Sequence, residues 1–270
     1  VNNSQISFIG AGNMATSLIH GLLAKDVPAN NIHATDIDTD KLAQLSADTG
    51  IRTGSLEDVA TAADVVVLAV KPQVMESACE SLKPLLKSGS LVISIAAGVT
   101  LASLARWLGD SQALVRCMPN TPSLVGCGAT ALVANAECSK QQKALSGQIL
   151  EAVGIACWLQ QENDIDTVTA LSGSGPAYYF LMMEAMEAAA IKMGLDADIS
   201  RQLAIQTAQG AGKLAASSDV PPAELRRRVT SPGGTTEQAL LSFDRDNFTE
   251  IVEAAMKAAQ QRAAELAGND

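Results

Sequence analysis

Two short stretches of this sequence carry residue types that can hold an anion on backbone amides. The first is Ile6 to Ala15, which reads as an apolar strand, a glycine turn and the start of a helix. Gly10 permits the tight turn, Gly12 lets the backbone approach a phosphate, and Ala15 lets the helix pack closely on the strand. The free amides of the first helical turn then face the pyrophosphate of a dinucleotide. This spacing also recurs by chance in ordinary strand-to-helix turns. Its place after Gln5 to Ile9, and before the helical pattern Met14, Leu18, Ile19, Leu22, Leu23, selects dinucleotide binding. The second stretch is Thr230-Ser231-Pro232-Gly233-Gly234-Thr235-Thr236, where a glycine pair before a helix start brings amides and hydroxyls together. It lacks the length and the lysine of a P-loop, so a small carboxylate suits it better than a nucleotide. Taken alone, it also reads as a link between two helices with Thr235 as cap.

Other candidates lie where strands end. Asp36 closes the strand Ile32 to Thr35, about twenty residues past the glycine turn, where a carboxylate accepts hydrogen bonds from ribose hydroxyls and repels a 2'-phosphate. That placement leans towards NAD. The alternative is a helix cap or loop charge in the run Asp36, Asp38, Asp40. Val70, Lys71 and Pro72 follow the run Val65 to Val70 on the edge where a cofactor would pass, and Lys71 also reads as a solvated lysine before a proline-started helix, Val74 to Leu86. Ala96-Ala97-Gly98 leaves room for a flat ring. Met118-Pro119-Asn120-Thr121-Pro122 is a rigid loop with a few polar groups, or simply a turn marked by two prolines.

The elements that must position these residues follow from periodicity. Val65 to Val70 has no polar alternation, as a parallel strand buried on both faces should read. Further strands are expected at Leu91 to Ile95, Ala113 to Cys117, Ala129 to Val133 and Ile155 to Leu159, alternating with helices at about 40–49, 56–62 and 140–153. This is the pattern of a doubly wound α/β domain. Beyond Glu162 no strand is convincing. Helices are expected at 166–172, 177–193, 198–216, 223–229, 235–241 and 248–266. The helix from Ala177 to Met193 is apolar on nearly every side, which places it at a domain centre or against another subunit. About a hundred residues of alanine-rich helix with few aromatics make a small core, and an intertwined dimer is the simplest remedy.

Composition excludes some partners. A formal net charge of -10 disfavours nucleic acid and anionic membrane surfaces. Five cysteines, with no Cys-x-x-Cys pair, suggest neither a disulfide framework nor a zinc site, and are expected to be reduced and buried. No metal is expected, and His20 and His33 read as structural. The first strand begins almost at the first residue with no apolar leader before it, so the expectation is a cytoplasmic protein. The uncharged run Ser88 to Ala105 reads as a strand, a glycine turn and a helix capped by Thr100 rather than a membrane span.

With these residues assembled, the chain resembles the pyrroline-5-carboxylate reductases, which catalyse the last step of proline synthesis. The shared motifs are Phe-Ile-Gly-Ala-Gly-Asn-Met at 8–14, Ala-Val-Lys-Pro at 69–72, Ser-Ile-Ala-Ala-Gly-Val-Thr at 94–100, Met-Pro-Asn-Thr-Pro at 118–122, Leu-Ser-Gly-Ser-Gly-Pro-Ala-Tyr at 171–178 and Ser-Pro-Gly-Gly-Thr-Thr at 231–236. The resemblance implies a Rossmann-type sheet over residues 1–162 and an all-helical substrate-binding and dimerisation domain over 163–270. It implies hydride transfer from NAD(P)H to the C=N carbon of 1-pyrroline-5-carboxylate, giving L-proline. It implies that Gly10, Ala11, Gly12, Asn13, Met14, Thr35, Asp36, Val70, Lys71, Pro72, Ala96 and Ala97 line the cofactor, with Asn120 and Thr121 near the nicotinamide. The substrate carboxylate would meet Ser231 and the amides of Gly233, Gly234 and Thr235, with Gly175 and Glu162 as further substrate-side candidates. Thr236 would bring a hydroxyl to the ring nitrogen. The resemblance further implies a homodimer with a shared active site as the minimal unit, and admits a decamer. NADPH is the usual cofactor of the family. Many members have Ser or Asn then Arg at the end of the second strand, and an asparagine near position 56; here stand Ala34-Thr35-Asp36 and Leu56, which leave NADH open. The rivals are a 3-hydroxyacid-type dehydrogenase and a non-catalytic dinucleotide-binding regulator. The first needs a lysine early in the helix from Ala177, where none occurs before Lys192. The second has no use for Ser-Pro-Gly-Gly-Thr-Thr.

Overall fold

A computed structural model of the 270-residue chain describes residues 1–268. Eight strands, β1 (Ile6–Ile9), β2 (Ile32–Thr35), β3 (Arg52–Thr53), β4 (Val65–Leu68), β5 (Leu91–Ser94), β6 (Ala113–Met118), β7 (Gly128–Ala134) and β8 (Gly154–Trp158), form one sheet in the order β3-β2-β1-β4-β5-β6-β7-β8. From β3 to β6 every neighbouring pair is parallel. Phe8 lies opposite Ala34 on one side and Val67 on the other, so β1 is fully enclosed. Strand order reverses beside β1, and the crevice beyond the carboxyl ends of β1 and β4 is where an open parallel sheet takes its ligand.

The helices that flank this sheet are α1 (Asn13–Ala24), α2 (Thr39–Thr49), α3 (Leu56–Ala60), α4 (Met75–Leu82), α5 (Leu101–Leu108), α6 (Lys140–Leu150) and α7 (Asp164–Val168). β4 feeds two cores. Val65 and Val67 join Leu18 and Leu22 of α1, Leu45 of α2 and Leu150 of α6 on one face. Val66 and Leu68 join Val59 of α3, Met75 and Leu82 of α4 and Leu104 of α5 on the other. The period-2 geometry of a strand therefore explains why a run with no polar residue is required here.

Several boundaries differ from those expected. β7 runs antiparallel to β6, with β8 parallel to β7, because the link from Pro119 to Cys127 is too short for a parallel crossover. The helix expected over 74–86 is a 3-10 turn at Pro72–Val74, α4, and another 3-10 turn at Lys83–Leu85, since Pro84 offers no N–H to continue it. The helix expected over 166–172 is α7 followed by a π-turn at Thr169–Gly173. Thr100 does cap α5, accepting a hydrogen bond from the Ser103 amide.

By compactness the chain divides into two units, residues 174–258 and the remainder. The helical unit carries α8 (Gly175–Lys192), α9 (Ala197–Ala216), α10 (Pro222–Arg228), α11 (Thr235–Arg245) and the first part of α12 (Phe248–Ala267). Among its described residues only Gly175, Ser200 and Ala204 are buried. Tyr179, Phe180 and Leu181 are each more than 60% exposed within the single chain. No helix among the described residues is long and apolar enough to cross a membrane.

Candidate active site

The glycine turn is built as its residue types require. Gly10 has φ +100, and a Cβ there would lie 2.7 Å from the Ala69 carbonyl oxygen at the end of β4. Its amide donates to the Thr35 carbonyl (2.8 Å), which ties the ends of β1 and β2 together. A Cβ at Gly12 would meet nothing within 4 Å, so the space above the turn is open to a ligand. Gly12 is also the N-cap of α1 and has no side chain to cap it. Among the described residues the amides of Gly12, Asn13 and Met14 have no hydrogen-bond partner, and as first-turn amides they suit a phosphate.

Asp36 is drawn into this turn. Its Oδ2 accepts the Ala11 amide at 2.6 Å and its Oδ1 accepts the Asp38 amide at 3.0 Å. Burial alone would raise its pKa, but the amides of Ala11 and Asp38 and the charge of Lys41 outweigh that and hold it below the usual carboxylate range. It is therefore a fixed negative charge beside the turn. Asp38, not Asp36, caps α2, accepting the Lys41 amide. Ile37 beside it is wholly exposed, an apolar side chain at the rim that the sequence pattern did not single out. Val70 is half-buried and Lys71 and Pro72 are exposed at the carboxyl end of β4; Ala96 is buried and Ala97 exposed after β5. All of these sit on the carboxyl edge of the sheet.

The loop after β6 is held from inside. Asn120 is 9% exposed, its Oδ1 accepts the Ala129 amide (2.9 Å), and its Nδ2 donates to the Ser172 carbonyl (3.0 Å). Thr121 beside it is exposed. Glu162 is similarly occupied. Its Oε1 accepts from Arg116 Nη1 at 2.7 Å and from the Leu101 amide at 2.8 Å, so it neutralises a buried arginine and caps α5 at once. Arg116 belongs to none of the motifs; the signal for it in the sequence is a charge inside an otherwise apolar β6.

In the helical unit, Gly234 is the N-cap of α11, and Thr235, expected as the cap, is the first helical residue. Gly233 has φ +73, which favours glycine there. Its amide donates to Glu237 Oε2 (2.8 Å), and the Gly234 amide donates to the Ser231 carbonyl (3.0 Å). Those two amides thus close the loop on itself. Among the described residues, the amides of Thr235, Thr236 and Glu237 are left without a partner, with the hydroxyls of Ser231, Thr235 and the half-buried Thr236 alongside. Gly175 is buried at the first position of α8.

Burial pushes the Cys79 thiol up to about 12 and raises Cys117 as well, whereas Cys127 and Cys157, expected to be buried, are exposed in the single chain because they lie at the edge of the sheet, on the β6–β7 link and on β8. All five thiols are free. His33 is buried against Gln5, with its pKa lowered by burial and by Arg52, and His20 is exposed on α1.

Known proteins match this chain over nearly its whole length. A curated pyrroline-5-carboxylate reductase from Pseudomonas aeruginosa is 53% identical over 268 residues, covering 99% of this chain and 98% of the relative. The chain belongs to the pyrroline-5-carboxylate reductase family. The relative of the same name from Vibrio alginolyticus is 44% identical, covering 98% of each. A solved pyrroline-5-carboxylate reductase from Coxiella burnetii superposes with a TM-score of 0.95 at 45% identity, over 98% of this chain and 99% of that one. The Plasmodium falciparum enzyme, solved with NADP bound, superposes with a TM-score of 0.86 at 31% identity over 99% of each. Within the chain, the family model for pyrroline-5-carboxylate reductase dimerisation matches residues 162–266, and the model for NADP oxidoreductase, coenzyme F420-dependent, matches residues 5–98. The first match makes the chain an oligomer-forming member.

Proposed function

We propose that the chain performs the family's NAD(P)H-dependent reaction, reduction of 1-pyrroline-5-carboxylate to L-proline in the last step of proline biosynthesis, on two sites built from uncommitted backbone amides. The observation that carries this reading is the second site: three free amides and neighbouring threonine hydroxyls at the start of α11, in a chain that also has the dinucleotide turn. The nicotinamide, when bound, supplies the hydride. Every other part of the reaction falls to this chain's residues.

Gly12, Asn13 and Met14 hold the pyrophosphate, with Gly10, Ala11 and Thr35 shaping the turn. Asp36 accepts the ribose hydroxyls, and Ile37 covers the flat face of the adenine. Val70, Lys71, Pro72, Ala96, Ala97, Asn120 and Thr121 border the path to the nicotinamide. The substrate carboxylate docks on the amides of Thr235, Thr236 and Glu237 with the Ser231 hydroxyl, inside a frame made by Gly233 and Gly234. A cyclic imine is basic and its carbon already electrophilic, so the protein need only hold it face to face with the hydride donor and favour its protonated form. Thr236 supplies the hydroxyl that meets the ring nitrogen. Gly175 allows close approach at the start of α8, and Glu162 serves the substrate indirectly through Arg116. We divide the chain at 162 into a dinucleotide domain and a substrate-binding, dimerisation domain, place it in the cytoplasm, and take a homodimer with a shared site as its minimal unit, on which a decamer can be built.

Turnover of NADPH or NADH with pyrroline-5-carboxylate tests the reading. Thr236→Ala should lower kcat/KM for the imine about 100-fold, within the range of general acid-base effects, and leave cofactor affinity unaltered. Undiminished turnover would remove Thr236 from the reaction.

A further inference from the structure

We propose that Asn120 is a positioning residue for hydride transfer, acting by locking the nicotinamide-side loop to the π-turn that opens α8. This rests on the reading that the loop after β6 borders the nicotinamide. The π-turn ends at Gly173, and the Ser172 carbonyl within it would in a regular helix accept from the residue four positions on. That residue is Pro176, which has no N–H. The orphaned carbonyl instead accepts Asn120 Nδ2 at 3.0 Å. The other end of the same carboxamide accepts the Ala129 amide at 2.9 Å, at the start of β7. The Asn120 backbone carbonyl takes the Ser123 amide (3.2 Å), so the residue also starts the 3-10 turn Thr121–Val125. Four pieces of chain, the end of β6, the 3-10 turn, β7 and the π-turn, therefore meet on one nearly buried amide.

A short loop bracketed by Pro119 and Pro122 has little freedom of its own, but prolines fix its shape and not its place. Asn120 fixes its place. π-turns interrupt helices where local geometry serves a site, and here the interruption presents a carbonyl to this side chain. Because buried amides that lose a partner are costly, the loop and the π-turn are expected to shift together rather than separately.

The full-length enzyme tests this with Asn120→Ala and Asn120→Asp, measuring kcat, KM, NADPH affinity by fluorescence, and the isotope effect with NADPH deuterated at C4. Displacement of the ring by a fraction of an ångström should lower kcat by about 10- to 100-fold. NADPH affinity should hold within about twofold, and the isotope effect on kcat should rise as hydride transfer becomes limiting. The aspartate variant adds a readout that packing alone would not give. As a neutral acid it can donate to Ser172 and accept from Ala129, neither of which titrates, so its kcat relative to the native enzyme should be higher at about pH 5.5 than at about pH 8. Native kcat in both variants would overturn the proposal. So would a loss of NADPH affinity that matches the loss in kcat/KM, since Asn120 would then be a cofactor ligand. If the alanine variant does not fold, the pH ratio of the aspartate variant decides. Absence of turnover by the native chain would instead refute the underlying reading.

Discussion

At the scale of single residues, Asp36 is the position on which cofactor choice turns. Its carboxylate is locked by the Ala11 amide at 2.6 Å and kept ionised by that bond. A 2'-phosphate brought to the end of β2 would face this fixed charge within a Debye length, with no arginine before Arg52 to offset it. The native enzyme is therefore expected to prefer NADH, and Asp36→Ser to shift the ratio of kcat/KM values towards NADPH by about tenfold, roughly 1.4 kcal/mol. A ratio that does not move would show that the charge points away from the ribose. Glu162 presents a different choice, between ligand and support. Its partner Arg116 has a side chain only 5% exposed, so Glu162→Ala leaves a buried charge unpaired and should cost about 3 kcal/mol in urea unfolding. A raised KM without loss of stability would return Glu162 to the substrate. Neither partnership is legible in the sequence, because Arg116 and Glu162 meet only once β6 and the end of β8 are placed.

At the scale of elements, the sequence shows best what has a period. β4 and β5 announce themselves as apolar runs, and the glycine turn locates β1 and α1. β3 spans only Arg52–Thr53, too short for any period, and exists because β2 offers it an edge. The reversal at β7 follows from a link length, which carries no residue pattern. The loop at 231–236 can be read from its glycines as a candidate anion site, but its inner bonds cannot. Glu237, one turn into α11, occupies the Gly233 amide, and only the fold reveals that the free donors begin at Thr235. Those donors can be tested one at a time. Gly234 is extended, with ψ 170, as the residue before a proline should be, and the first helical position tolerates proline. Thr235→Pro should thus leave α11 and the melting temperature unchanged while deleting one amide together with the Thr235 hydroxyl, whose share Thr235→Ala measures alone. With a hydrogen bond to a charged group contributing about 1.5 kcal/mol, KM for pyrroline-5-carboxylate should rise about tenfold with little change in kcat. An unchanged KM would mean that the carboxylate docks elsewhere.

At the scale of the whole molecule, the two units differ in how they satisfy their apolar residues. The sheet buries its central strands β1, β4, β5 and β6 on both faces within one chain, whereas the helical unit leaves Phe180, Leu181 and Met186 of α8 and Ile199, Leu203 and Ile205 of α9 each more than 40% exposed. A helix that is apolar all round and has no buried face in its own chain needs a partner surface. Fully burying a Leu, Ile, Phe or Met side chain contributes about 1.5–3 kcal/mol, and these six positions are about half exposed, so on two copies they contribute on the order of 10–20 kcal/mol, of the same order as or above the roughly 4–15 kcal/mol that association costs. Because the match to the dimerisation model covers residues 162–266, the second copy of this chain is the occupant to expect. Sedimentation at micromolar concentration should show a dimer or a multiple of it. Phe180→Asp places a charge on that surface and should yield monomers with a lower melting temperature. If the Thr236 loop completes the partner's cofactor site, the monomers should also lose nearly all turnover while still binding NADH or NADPH at the glycine turn. Fully active monomers would show instead that each chain assembles its whole site alone.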